Sequence, residues 1–88
     1  MPPQVTIDEH ERHMLVHTLT GSEPGGERNW WAAGIHDRTD YPRLCGLVRK
    51  GLMERGLDFM GGNEPCVYFH ATVDGARLVG LPYIPPTR

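Results

Sequence analysis

DYPRLCGLVRKGLMERGLDFMGGNEPCVYFHAT, positions 40–72, is the stretch whose reading decides the fold. Leu44, Leu47 and Val48 fall at i, i+3 and i+4, the spacing that gathers one apolar face of a helix. Asp40 or Thr39 can cap that helix, and Pro42 suits its first turn, where a missing N–H costs no hydrogen bond. Arg49 and Lys50 stand in the last turn, where the helix dipole favours positive charge. Gly51 offers the left-handed position that ends a helix, with Leu52 returning to the core as its Schellman partner. Beyond it, Leu52 to Phe59 and Cys66 to Thr72 read as two strands joined by a flexible tip, Met60 to Pro65. In the second strand Val67, Phe69 and Ala71 alternate with Cys66, Tyr68 and His70, and the first set makes the better core face.

Upstream, Glu9 stands three residues after Thr6, the spacing of a capping box. Ile7, Met14, Leu15 and Leu19 then share one arc of a helical wheel, and Gly21 closes the turn, so a first helix is expected from Ile7 to Thr20. Residues 21–29 read as a surface loop by composition, and residues 37–41 as a polar turn. Between them WWAAGI, positions 30–35, is a brief strand or a buried turn. Downstream, Thr72 can cap a short helix from Val73 to about Val79 that stops at Gly80. Pro82, Pro85 and Pro86 prevent further helix, which leaves an extended proline-rich tail over residues 82–88. The order helix, short apolar stretch, helix, β-hairpin, short helix predicts one α+β domain over residues 1–81, with helices on one side of a small antiparallel ribbon.

The run Leu44-x-x-Leu47-Val48-x-x-Gly51-Leu52-Met53-x-Arg55, then Gly61-Gly62, then Tyr68-Phe69-x-x-Thr72-x-x-Gly75 resembles the second half of a winged-helix domain of the MarR type. The resemblance covers residues 40–79. It implies a recognition helix, a wing hairpin and a T-x-x-G helix start in that order. The whole chain is also similar to small proteins encoded by bacteriophages and prophages, with an R-N-aromatic-aromatic segment, a D-x-x-x-L-x-x-L-V helix and a G-G hairpin. Two departures stand out. A DNA-binding winged helix usually carries a further helix before the recognition helix, where residues 21–39 here are glycine-rich loop and WWAAGI. A functional wing usually carries arginine or lysine, whereas the tip DFMGGNEP is acidic.

Composition sets outer bounds. At 88 residues the domain buries only roughly 60% of the surface its unfolded chain exposes. Glycine and proline, 11 and 8 residues, indicate short elements joined by many turns. No apolar run approaches the ~20 residues of a membrane span. The first residues lack the basic and apolar regions of a secretory signal, and two cysteines do not make a disulfide framework, so a reduced, cytoplasmic setting is expected. The net charge of −2 argues against a protein that coats DNA. Charge is uneven: residues 1–27 hold five acids to one arginine, and residues 28–55 hold six cations to three acids. Two arrangements fit, an anion-facing patch or a basic middle neutralised by the acidic first helix packing beside it.

Few constellations suggest chemistry. His10, His13 and His17 share a helix flank, but no acid or cysteine at helical spacing completes a metal site. Cys66 and His70 lie on one strand face four residues apart, too far at ~3.3 Å per residue to bind one ion together. No G-x-S-x-G, P-loop or oriented Cys–His pair is present, so the chain reads as non-enzymatic, with no cofactor or metal expected. Trp30 and Trp31 are more informative. Neighbours in an extended segment point to opposite sides, so one indole is available as an interface anchor, with Arg28 and Arg38 near in sequence. Which of the two faces outward is left open.

The expected function is a small binding protein, of the kind phages and prophages encode, that docks on a host protein or complex in the bacterial cytoplasm through Trp30, Trp31, Arg28 and Arg38. Inhibition of a host defence complex such as CRISPR is one activity the resemblance allows, and a homodimer is compatible with it. The alternative is a winged-helix DNA-binding accessory or transcriptional regulator that uses Arg43, Arg49, Lys50 and Arg55.

Overall fold

The computed structural model describes residues 5–21, 23 and 25–86. The outermost residues of the expected domain and tail, 1–4 and 87–88, lie outside that set, as do Ser22 and Pro24 of the loop. In chain order the elements are α1 (Glu9–Thr20), β1 (Trp31–Gly34), α2 (Asp40–Arg49), β2 (Met53–Gly61), β3 (Glu64–Ala71) and α3 (Val73–Leu78). The α+β class and the order of elements agree with the sequence reading. Among the described residues no helix is long and apolar enough to cross a membrane.

The apolar stretch at 30–35 is a strand rather than a buried turn. It joins the hairpin to make a three-stranded antiparallel sheet in the order β1-β3-β2, with Trp31 opposite Phe69 and Gly34 opposite Cys66. The hairpin strands are longer than expected and their turn is tighter. Gly61 pairs with Glu64, so only Gly62 and Asn63 turn the chain, with Gly62 at φ 69°. Pro65 is accommodated in the central strand near its start, and its carbonyl accepts from Ile35 N–H at 3.0 Å.

All three helices contribute to a core on one side of the sheet. Met14, Leu15 and Leu19 of α1, Leu44 and Leu47 of α2, and Ala76 of α3 meet Ala33, Met53, Val67, Phe69 and Ala71. The last three are the face that strand alternation selected. Ile7 also packs on this cluster, but from outside the helix: α1 starts two residues later than expected. Its cap is Asp8, whose Oδ1 accepts from Glu11 N–H at 2.7 Å while Glu11 Oε1 accepts from Asp8 N–H at 3.1 Å. This is a full capping box shifted by two residues from Thr6 and Glu9.

The end of α2 follows its sequence signal. Gly51 adopts φ 76°, its N–H reaches Val48 O at 3.0 Å, and Leu52 N–H reaches Leu47 O at 3.0 Å, which is the Schellman pattern. Its start does not follow the expectation. Thr39 occupies the cap position without a side-chain hydrogen bond. Asp37 Oδ1 serves instead, accepting from Thr39 N–H at 2.8 Å and Asp40 N–H at 2.7 Å. Those amides, Asp40 first, hold the Asp37 carboxyl below its usual range. At the far end Thr72 caps α3: its Oγ accepts from Gly75 N–H at 3.1 Å and donates to Gly51 O at 2.7 Å. Residues 81–86 form neither helix nor strand, and Ile84 packs back on the core.

Candidate interaction surface

Pairing in the sheet sorts the aromatic residues by face. Trp31 stands opposite Phe69 and therefore on the helix side, where its ring meets His17 edge-on with centroids 4.7 Å apart. Ala32 and Gly34 stand opposite Tyr68 and Cys66 on the other face, and Phe59 stands opposite Cys66 from β2. Trp30, just before β1, meets Tyr68 at 5.9 Å and 89°, and Phe59 stacks on Tyr68 at 4.4 Å and 23°. The Arg28 guanidinium lies 3.9 Å from the Trp30 ring centroid. Arg28, Trp30, Tyr68 and Phe59 thus make one row across the helix-free face, a cation followed by three rings. Leu57 and Met60 on the hairpin are 66% and 62% exposed, Met60 opposite Pro65 and so on the other face from Phe59.

Arg28, Trp30 and Trp31, three of the four residues singled out for partner binding, come together. With His17 and Ala32 they line an open depression of about 270 Å³ beside β1. Arg38 does not join them; it is exposed in the turn beyond the other end of the strand. The two indoles take different roles: Trp30 belongs to the helix-free face, and Trp31 leans on the core. Sequence reasoning overlooked Tyr68 and Phe59 as surface residues. Alternation put Tyr68 on the non-core face, but only strand pairing sets Phe59 and Trp30 beside it.

Asn29 was also missed. Composition assigns it to a surface loop, yet it is 3% exposed. Its Oδ1 accepts from Ala71 N–H at 2.7 Å, and its Nδ2 donates to Ala71 O at 3.0 Å and Ile84 O at 2.7 Å. The side chain thereby continues the β1–β3 ladder by one pair and ties residue 84 to the sheet.

Three of the six cations of the basic middle segment face carboxylates of this chain. Arg43 Nη1 lies 3.5 Å from Asp8 Oδ2. Lys50 Nζ donates to both oxygens of Glu11, at 3.0 and 2.8 Å, and to Thr6 O at 3.0 Å. Arg55 donates to the Tyr41 hydroxyl at 2.7 Å and lies 3.9 Å from Asp58. Arg49 is exposed and has no ion pair among the described residues. Of the two arrangements the charge pattern allowed, the acidic start of α1 packs against the basic end of α2. The Glu11–Lys50 pair is the most sheltered, with the Glu11 side chain 12% exposed, and it fixes the two helix ends together.

His13 and His17 have ring centroids 6.1 Å apart. Among the described residues no group of three or more His, Cys, Asp or Glu side chains comes together to hold a metal. Burial, then the charges of Arg28 and His13, hold the His17 imidazole below its ordinary value of 6.5. A histidine that binds its proton more weakly when folded lets the unfolded chain take up more protons, so stability falls as pH drops through 6.5. Asp8, held low chiefly by the Glu11 amide, and Asp37 act in the same direction, with stability lost as pH falls below 3.8. The thermal midpoint is therefore expected to be lower at about pH 5.5 than at about pH 7.5, with a smaller difference in His17→Gln. Equal slopes in the two proteins would show that His17 does not set this dependence.

Comparison of the chain with protein-family models, curated proteins and solved structures gave no match in any of the three.

Proposed function

We propose that this protein is a non-enzymatic binding module that docks on another polypeptide, and that it does so through the helix-free sheet face and the adjoining edge of β1. The observation that carries this reading is the internal neutralisation of the basic segment. Arg43, Lys50 and Arg55 already face Asp8, Glu11 and Asp58. A phosphate backbone would have to displace those carboxylates, which removes most of the counterion release that drives nucleic-acid binding. The Arg28–Trp30–Tyr68–Phe59 row has the aromatic and arginine composition that dominates protein interfaces. A host protein or complex of the bacterial cell is the partner this reading favours, with inhibition as the consequence of occupying it.

The competing reading, a winged-helix DNA-binding accessory, draws on the order of α2, hairpin and Thr72-x-x-Gly75 helix start. It is left with Arg49 as the exposed cation of its set that lacks an ion pair among the described residues. The two readings separate by experiment. A discrete partner captured from bacterial lysate by the full chain is expected to be lost with Trp30→Ala or Tyr68→Ala and kept with Arg49→Ala. Trp31→Ala is unsuitable, because that ring supports the core. A shift of duplex DNA at low salt that disappears in Arg49→Ala would move the function to nucleic acid.

A further inference from the structure

β1 is an edge strand, and its backbone groups divide between two sides. Ile35 N–H bonds to Pro65 O, which places the odd-numbered residues in the hydrogen-bonded pairs with β3; Ala33 and Trp31 follow, opposite Val67 and Phe69. In an antiparallel ladder the residues between them direct their N–H and C=O groups outward. Upstream, two of these outward amides are used: Arg28 N–H bonds to Leu19 O at 3.0 Å and Trp30 N–H to Thr18 O at 3.1 Å, both at the end of α1. The helix stops there. The Gly34 carbonyl accepts from Asp37 N–H at 3.0 Å. Ala32 N–H, Ala32 C=O and Gly34 N–H have no hydrogen-bond partner among the described residues.

The two edges of the sheet are built differently. β2 carries Glu54, Arg55 and Asp58 and a register shift between Arg55 and Asp58, features that keep foreign strands away. β1 reads Trp31-Ala32-Ala33-Gly34, without charge, proline or bulge. Its side chains at Ala32 and Ala33 are small, and the Glu64 side chain lies against Gly34 at the far end. Trp30 and Trp31 stand on opposite faces beside the strand, and the 270 Å³ depression lies along its Trp31–Ala32 half.

We propose that an extended, apolar segment of the partner polypeptide adds to β1 as a fourth strand, bonded to the Ala32 and Gly34 main chain, with its alternate side chains set against Trp30 and Trp31. This rests on the polypeptide-docking reading and names the mode of contact. The occupant is a strand rather than a helix. Outward donors and acceptors at strand spacing are matched only by main chain that has its own groups unpaired. The short rail fixes register, and the indoles supply the apolar contact.

The test uses the full chain against a displayed library of random decapeptides, with amide hydrogen exchange read in the free protein and with each selected peptide. In the free protein the Ala32 and Gly34 amides are expected to exchange quickly and the Ala33 amide slowly. Selected peptides, rich in alternating apolar residues, are expected to slow Ala32 and Gly34 exchange by about tenfold or more. Ala32→Pro removes an outward N–H and no ladder bond, and is expected to weaken binding by at least about tenfold. If that variant fails to fold, Ala32→Lys, a charged edge, serves in its place. Peptides that bind without slowing those two amides overturn strand addition. Peptides that bind Ala32→Pro and wild type alike, yet lose affinity for Tyr68→Ala, overturn it too and leave docking on the sheet face intact. Failure to select any peptide counts against both. Protection of Ala32 and Gly34 in the free protein that rises with its concentration assigns the edge to a second copy of β1 and overturns the foreign strand.

Discussion

Asn29→Ala is expected to lower the unfolding free energy by about 3–4 kcal/mol, the largest loss from any single side chain outside the apolar core. The reason is what stays behind. Ala71 N–H, Ala71 O and Ile84 O all bond to this one amide. Truncation leaves two of them, both on fully buried Ala71, away from water. An unsatisfied buried backbone group costs about 1–3 kcal/mol, and a domain of this length holds only about 4–13 kcal/mol in total. Asn29→Asp separates the contributions: its oxygen still accepts from Ala71 N–H, but both carbonyls lose their donor. Its second oxygen would also face both carbonyls in a buried site, so the urea midpoints of both variants should fall well below wild type. An Ala variant within about 1 kcal/mol of wild type would show that water replaces the amide.

Gly75→Ala is expected to cost about 2–3 kcal/mol, although alanine is normally the better helix former. A Cβ at this position would overlap the Leu52 carbonyl oxygen and press on Leu15. That same oxygen accepts from Thr72 N–H at 3.0 Å, so it cannot withdraw without giving up a bond. The T-x-x-G spacing thus has a physical origin here. Thr72 caps the helix and grips Gly51, and Gly75 lets α3 approach the start of β2. Thr72→Ala should cost about 1–2 kcal/mol through the cap alone. A Gly75→Ala protein as stable as wild type, by denaturant midpoint, would place the overlap elsewhere.

What could be seen in the sequence was what neighbouring residues decide. The helical spacing of Leu44, Leu47 and Val48, the Gly51-Leu52 ending and the core alternation of Val67, Phe69 and Ala71 depend on contacts within a few positions, and each is present in the structure. The start of α1 shows where this stops. Thr6 with Glu9 and Asp8 with Glu11 satisfy the same local rule. Only in the second pair is the acid itself bound by Lys50, thirty-nine residues beyond Glu11; of the first pair Lys50 meets just the Thr6 carbonyl. Asn29 sits in a glycine-rich stretch with nothing local to mark it as buried. The candidate surface was half visible for the same reason. Arg28, Trp30 and Trp31 are close in the chain, while Tyr68 and Phe59 reach Trp30 only through pairings across the sheet. The hairpin tip read too long for the same reason: Met60, Gly61, Glu64 and Pro65 look like turn residues locally, and only cross-strand pairing places them in the ladder.

The strand order also orders events in time. β2 and β3 are joined by two residues and close locally, whereas β1 must find β3 across a separation of more than thirty positions. Loop closure of that span is favourable only once the hairpin gives it a surface to meet. β1 is thus expected to be the last strand to arrive and the first to leave. Changes confined to it will act on the lifetime of the native state and leave the speed of its formation nearly untouched.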